Sequence, residues 1–152
     1  MTQHIKYIPA EISDADPLTQ IAFHSKRYWD YPEEWIQLWT EDLTITPEYI
    51  SKNQVIKIIN EDILAGFYAL EYKEKQLYIG YFWMLPEFIG KGLGKEAFTD
   101  LRNRCLAMNE PIVDVESDPN AEGFYIKMGA EKVRSISTRI EGRHLNVFRF
   151  RF

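Results

Sequence analysis

Five consecutive large apolar residues, Tyr81-Phe82-Trp83-Met84-Leu85, are followed by Pro86-Glu87-Phe88-Ile89 and then by Gly90-Lys91-Gly92-Leu93-Gly94. A short, aromatic-rich run closed by proline reads as a buried strand. Beyond the glycines the hydrophobic period changes. Leu93, Ala97, Leu101, Cys105 and Met108 fall on one stripe of a helix, which predicts a helix over about residues 93–108. The chain therefore runs strand, glycine turn, helix, and such an order needs a sheet against which the helix can bury its stripe.

The remaining sequence fits a mixed α/β sheet. Ile5 and Tyr7 suggest a first strand ending near Pro9. Two helices are expected next, one after Asp14 and Asp16 and one with Pro32 in its first turn that carries Trp35, Ile36, Trp39 and Leu43. Strands at 54–59, 63–72 and 77–85, joined by polar turns, read as an antiparallel meander. Residues 111–116 read as a further buried strand. Asp118-Pro119-Asn120 caps a short helix that runs through Phe124 and Tyr125 and stops at Gly129. Two closing strands are expected at 132–140 and 145–152, the latter alternating Phe148, Phe150 and Phe152 with Arg149 and Arg151.

Length and charge narrow the function. The 152 residues, with no repeat or linker, are expected to form one domain spanning 1–152. A balance of 18 Lys+Arg against 23 Asp+Glu has the wrong sign for a protein that binds by neutralising phosphates, so nucleic acid is not expected as a partner. Cys105 is the only cysteine, which excludes an internal disulfide, and with three scattered histidines it makes no metal set; a cytoplasmic location is expected. No long apolar run predicts a membrane span.

A glycine turn opening a helix exposes backbone N–H groups with partial positive charge, and glycines let a ligand approach the main chain, so a pyrophosphate fits there. Lys91 and Lys95 add charge beside it. A dinucleotide fingerprint fails because Lys95 stands where its third glycine belongs; a Walker A loop fails on Ile89 and Glu96. Glycine spacing alone also fits a turn with no ligand.

Two motifs together resemble the GNAT acetyltransferase superfamily, and the resemblance runs from the first strand to the last. One is the Q/R-x-x-G-x-G/A loop after a strand and a V-x-P-like element, matched by Met84-Leu85-Pro86 and Ile89-Gly90-Lys91-Gly92-Leu93-Gly94. The other is an N-x-x-A-x-x-F-Y…G helix, matched by Asp118, Ala121, Phe124, Tyr125 and Gly129. The resemblance implies a mixed, mostly antiparallel sheet of six to seven strands flanked by about four helices. It implies acetyl-CoA as co-substrate, its pantetheine arm bonded to the backbone of Phe82, Trp83 and Met84. Its pyrophosphate would rest on the amides of Gly90, Lys91, Gly92, Leu93, Gly94 and Lys95. Ile89 replaces the usual Gln or Arg, and Asp118 replaces the usual Asn, for which Asn120 can substitute.

Acetyl transfer needs a neutral amine, a donor for the developing oxyanion and a proton for the leaving thiolate. Tyr125 is the expected acid: a phenol of pKa about 10 suits a thiol near ~8.5. A backbone N–H of Met84 or Leu85 is the expected oxyanion donor. For the base, Gly80 and Tyr81 occupy the positions where the family often has a strand glutamate, which leaves Glu116 first, then Glu71 and His24. Cys105, on the apolar stripe, reads as a packed thiol. The acceptor, an amine on a small molecule or a protein, is expected near Trp29, Tyr31 and His24, with Trp35 and Trp39 as packing residues. A non-catalytic acyl-CoA-binding sensor is the rival reading, favoured by the missing strand carboxylate. Phe148, Phe150 and Phe152 leave room for a homodimer paired through the last strand.

Overall fold

The computed structural model describes residues 4–152. Seven strands form one sheet: β1 (Ile5–Pro9), β2 (Gln54–Asn60), β3 (Ile63–Lys73), β4 (Gln76–Met84), β5 (Ile112–Ser117), β6 (Glu131–Ser137) and β7 (His144–Arg151), in the order β1-β2-β3-β4-β5-β7-β6. Every neighbouring pair is antiparallel except β4 with β5. That exception follows from the strand-turn-helix order, because a helix crossover returns the chain parallel to the strand it left. The helices are α1 (Ala15–Arg27), α2 (Glu33–Leu38), α3 (Thr40–Leu43), α4 (Pro47–Lys52), α5 (Leu93–Ala107) and α6 (Glu122–Lys127).

The sheet has a core on each face. On one, α5 buries Leu93, Ala97, Phe98, Leu101 and Cys105 against Ile56, Leu70, Leu77, Ile79 and Phe150. On the other, Leu18, Ile21 and Ala22 of α1 pack with Val55, Phe67 and Ala69. Each fully buried Leu, Ile or Phe contributes about 1.5–3 kcal/mol, so two sandwiched layers hold the sheet from both sides.

Two local irregularities in β4 matter for the site. Ala69 pairs with Tyr81 but Leu70 pairs with Ile79, so Gly80 is an extra residue, a β-bulge. The slip reverses the alternation: Leu77, Ile79, Phe82 and Met84 join the α5 core, while Tyr81 and Trp83 turn to the α1 side. Second, β4 and β5 pair only at Leu77–Val113 and Tyr78–Asp114, and beyond those positions the strands part.

The first half of the chain differs from the sequence expectation. Four helices, not two, lie between β1 and β2. The expected long helix after Pro32 breaks at Trp39, where φ −90° and ψ 4° interrupt the turn between α2 and α3. The fourth, α4, starts with Thr46, whose side chain accepts from the Tyr49 N–H, and with Pro47 in its first turn. At the other end β6 stops at Ser137 rather than near 140, because Thr138 bonds the Ile140 N–H and closes the turn. The last strand, β7, lies between β5 and β6 with Phe148 and Phe150 buried, so the free edge needed for pairing through it is absent.

Candidate active site

The parting of β4 from β5 leaves backbone groups without partners. Leu85 N–H donates to the Ala65 carbonyl at 2.8 Å. In an antiparallel ladder hydrogen-bonded and non-bonded pairs alternate, so Trp83 also turns its backbone to β3, while Phe82 and Met84 present theirs to the gap. The Met84 carbonyl accepts from Ser25 Oγ at 2.5 Å, which leaves its N–H. Of the three residues expected to offer backbone groups, two therefore face the gap and Trp83 does not. Leu85 is likewise removed as an oxyanion donor, and Met84 remains.

At the end of β4 the chain turns through Gly90 (φ +82°) and Gly92 (φ +80°), left-handed conformations that a side chain would strain. Gly92 is the N-cap of α5 and no side chain caps the helix there. The Glu96 N–H donates to the Gly92 carbonyl, and the amides of Leu93, Gly94 and Lys95 ahead of it have no acceptor among the described residues. Lys91 and Lys95 are exposed beside this turn, and neither forms an ion pair among the described residues. Gly94 packs closely on Phe124 of α6, 3.4 Å from where a Cβ would stand.

A cavity of about 490 Å³ opens on the α1 side where the strands separate. Its wall includes Ile79, Phe82 and Val115 at the gap, and Tyr125 reaches it from α6. Tyr125 is buried, and its hydroxyl has no hydrogen-bond partner among the described residues. Burial, then the Asp118 charge, pushes its phenol well above the ordinary value, so it stays protonated at neutral pH.

The carboxylate missing from β4 is supplied by its neighbour. Glu71, on β3, projects over the bulge: a Cβ on Gly80 would stand 2.4 Å from Glu71 Oε1 and 2.5 Å from the Tyr49 hydroxyl. The glycine thus leaves room for a side chain from the next strand. Burial raises the Glu71 carboxyl above its usual range, with Glu116 adding to this and Lys73 and Tyr49 working against it. Glu71 makes no ion pair among the described residues, whereas Glu116 is held by Lys73 at 3.0 Å. Both line the cavity, and of the two only Glu71 is without an ion pair among the described residues.

The aromatic residues are arranged differently from expectation. Trp29 lies outside the cavity wall, exposed and edge-on to Tyr28, and His24 is exposed on α1. Tyr31, Trp35 and Trp39 do form a cage, but the protein's own cations fill it. Lys26 Nζ lies 4.2 Å from the Trp39 ring and 4.9 Å from Tyr31, and the Arg143 guanidinium lies 4.9 Å from both Tyr31 and Trp39 and 5.3 Å from Trp35.

Asp118 is the hub of this cluster. It accepts from Lys26 at 2.5 Å, from the Tyr31 hydroxyl at 2.8 Å, and from the Asn120 backbone at 2.9 Å and side chain at 3.1 Å. Burial alone would raise its carboxyl, but Lys26 and these donors outweigh it and hold the group below the usual carboxylate range. Its side chain and the Asn120 amide, which also donates to Tyr31 at 2.9 Å, are committed within the protein. Tyr49, Tyr81 and Trp83, which were not expected at the acceptor, line the cavity together with Trp39, Tyr78, Phe82 and Tyr125.

A splayed strand pair with a phenol in the cavity beside it, and an uncapped glycine turn beyond the end of the same strand, are what the family resemblance requires. The model of the acetyltransferase (GNAT) domain matches residues 29–147. The chain belongs to the GNAT acetyltransferase family. Solved structures share the GNAT fold over nearly the whole chain. A GCN5-related N-acetyltransferase from Rhodopseudomonas palustris is 19% identical, with TM-score 0.82, covering 100% of this chain and 99% of that one. The PaiA N-acetyltransferase from Thermoplasma acidophilum, solved in complex with coenzyme A, is 16% identical with TM-score 0.79 and coverage of 98% and 99%. The ribosomal-protein-S18-alanine N-acetyltransferase from Escherichia coli is 11% identical, with TM-score 0.71 and coverage of 97% and 94%. No curated protein matches the sequence. Among the described residues no helix is long and apolar enough to cross a membrane, and no cluster of ligating side chains suits a metal ion.

Proposed function

We propose that this GNAT protein transfers an acetyl group from acetyl-CoA to an amine by direct attack in a ternary complex, with Glu71 as base and Tyr125 as acid. The observation that carries the reading is the opening of the free Glu71 carboxylate and the unpartnered Tyr125 hydroxyl into one cavity at the point where β4 and β5 part. Bound acetyl-CoA supplies an activated acyl carbon on a thiol leaving group. The free backbone edge of Phe82 and Met84 fits a pantetheine arm, and the amides from Gly90 to Lys95 fit its pyrophosphate.

The chain's own groups then divide the chemistry. Glu71 takes a proton from the attacking amine, whose nitrogen forms a bond to the acyl carbon as the carbon–sulfur bond breaks. The Met84 N–H, directed into the gap, donates to the carbonyl oxygen as it gains charge. Tyr125 gives its proton to the departing sulfur and recovers one afterwards, so the products are an amide and a free thiol. The sensor alternative drew its support from the lack of a carboxylate on β4, and Glu71 over Gly80 removes that support.

Thiol release from acetyl-CoA across a panel of amines tests the proposal. Saturable release that depends on an added amine is expected; saturable CoA binding with no thiol released for any amine would overturn it.

A further inference from the structure

The charges around the cavity do not all cancel, and the two left over define a ligand. Lys26 is paired with Asp118 at 2.5 Å, Lys73 with Glu116 at 3.0 Å, and Arg139 with Asp42. Glu71 and Arg143 remain among the charged residues of the wall. Glu71 makes no ion pair among the described residues. Arg143 reaches only the edge of one, 4.0 Å from the Asp118 oxygen already bonded to Lys26.

Arg143 is also left with an unpaired donor. Arg143 is 12% exposed; its Nη2 donates to the Tyr31 hydroxyl at 3.2 Å, but its Nη1 is buried with no acceptor. Trp83 Nε1 is also a buried donor with no acceptor, and Trp83 lines the same cavity. A buried donor left unpaired is destabilising, more so when charged, so an arrangement that keeps two is complete only when something else supplies acceptor atoms. On another part of the wall, beside Gly80, the Glu71 carboxylate and the Tyr49 hydroxyl line the same cavity, where their oxygens can accept from a cation that donates hydrogen bonds.

We infer, resting on the acetyl-transfer reading of this site, that the acceptor is a small zwitterion: an amine that also carries a carboxylate, of the amino-acid class. The ammonium is received by Glu71, which takes its proton, and the carboxylate by Arg143 Nη1 and Trp83 Nε1. A simple amine or polyamine leaves the Arg143 charge uncompensated. The amino terminus of a protein brings a neutral carbonyl where Arg143 calls for an anion. A volume of about 490 Å³ suits a small molecule.

The test is calorimetric binding to the CoA-loaded protein, where no acyl group is available for transfer. The panel holds amino acids, their carboxamides and the corresponding decarboxylated amines. At least one amino acid is expected to bind about 10- to 100-fold more tightly than its carboxamide and its decarboxylated amine, the worth of a hydrogen bond to a charged group. Arg143→Gln is expected to collapse that ratio to near one, and Arg143→Lys, which keeps the charge but not the planar fork, to retain part of it. Equal binding of acid and amide across the panel, or a ratio unchanged in Arg143→Gln, overturns the inference. Binding is read without turnover, so this outcome is separate from a failure of thiol release, which bears on the transfer reading instead.

Discussion

At Gly80 any other residue would bring a carbon within 2.4 Å of Glu71 Oε1 and 2.5 Å of the Tyr49 hydroxyl. Both are ends of side chains that can swing aside, so Gly80→Ala should fold with little loss of stability while moving the base. A displacement of about 1 Å can cost on the order of 100-fold in rate. A kcat reduced by roughly that factor, with an unshifted melting temperature, is the expected result. Tyr125→Phe should lower kcat by about 100-fold or more while calorimetry shows CoA affinity nearly unchanged, because the hydroxyl has no structural partner to lose. An unchanged kcat would remove Tyr125 from the acid role. Tyr125 was legible from its motif. Glu71 was legible only as one of several carboxylates, because its place depends on how β3 and β4 come into register at the bulge, a long-range fact that no local spacing encodes.

Among the elements, the Asp118 turn joins the end of β5 to α1 and to the β6–β7 turn, through Lys26 and Arg143. Removing one partner of a buried pair strands the other, so Asp118→Ala should destabilise the fold by about 3 kcal/mol in denaturant unfolding. The pH dependence follows from the carboxyl's depressed value. Its contribution is full above the unfolded carboxylate value of about 3.9 and is lost as pH falls through the lower folded value. Acid unfolding of Asp118→Ala should lack that component. Thr46→Ala should cost about 1 kcal/mol through the lost cap of α4. No helix was expected at Thr46-Pro47, and the break at Trp39 left no local signal, because Trp35, Ile36, Trp39 and Leu43 keep a helical spacing straight through it.

For the molecule as a whole, one seven-stranded sheet packed on both faces carries the gap between β4 and β5 and the cavity beside it, which the proposed reading gives to the donor and the acceptor. The donor side was written in consecutive residues, a strand, a proline and glycines, and so could be read directly. The cavity and the aromatic cage beside it are assembled from α1, α2, α3, α4, β3, β4 and the β6–β7 turn, and the cage holds Lys26 and Arg143. Direct transfer with Glu71 as base is tested most directly by the pH dependence of kcat/KM for the amine at saturating acetyl-CoA. Because Glu71 takes the proton of the bound ammonium, log kcat/KM stays level below the amine's own pKa until protonation of Glu71 bends it to a slope of about one at lower pH. The raised Glu71 carboxyl puts that bend above the ordinary carboxylate value of 4.5. Glu71→Gln is expected to be about 100-fold slower and to follow a slope of about one throughout. A wild-type profile with no bend, or the same bend in Glu71→Gln, would contradict the account.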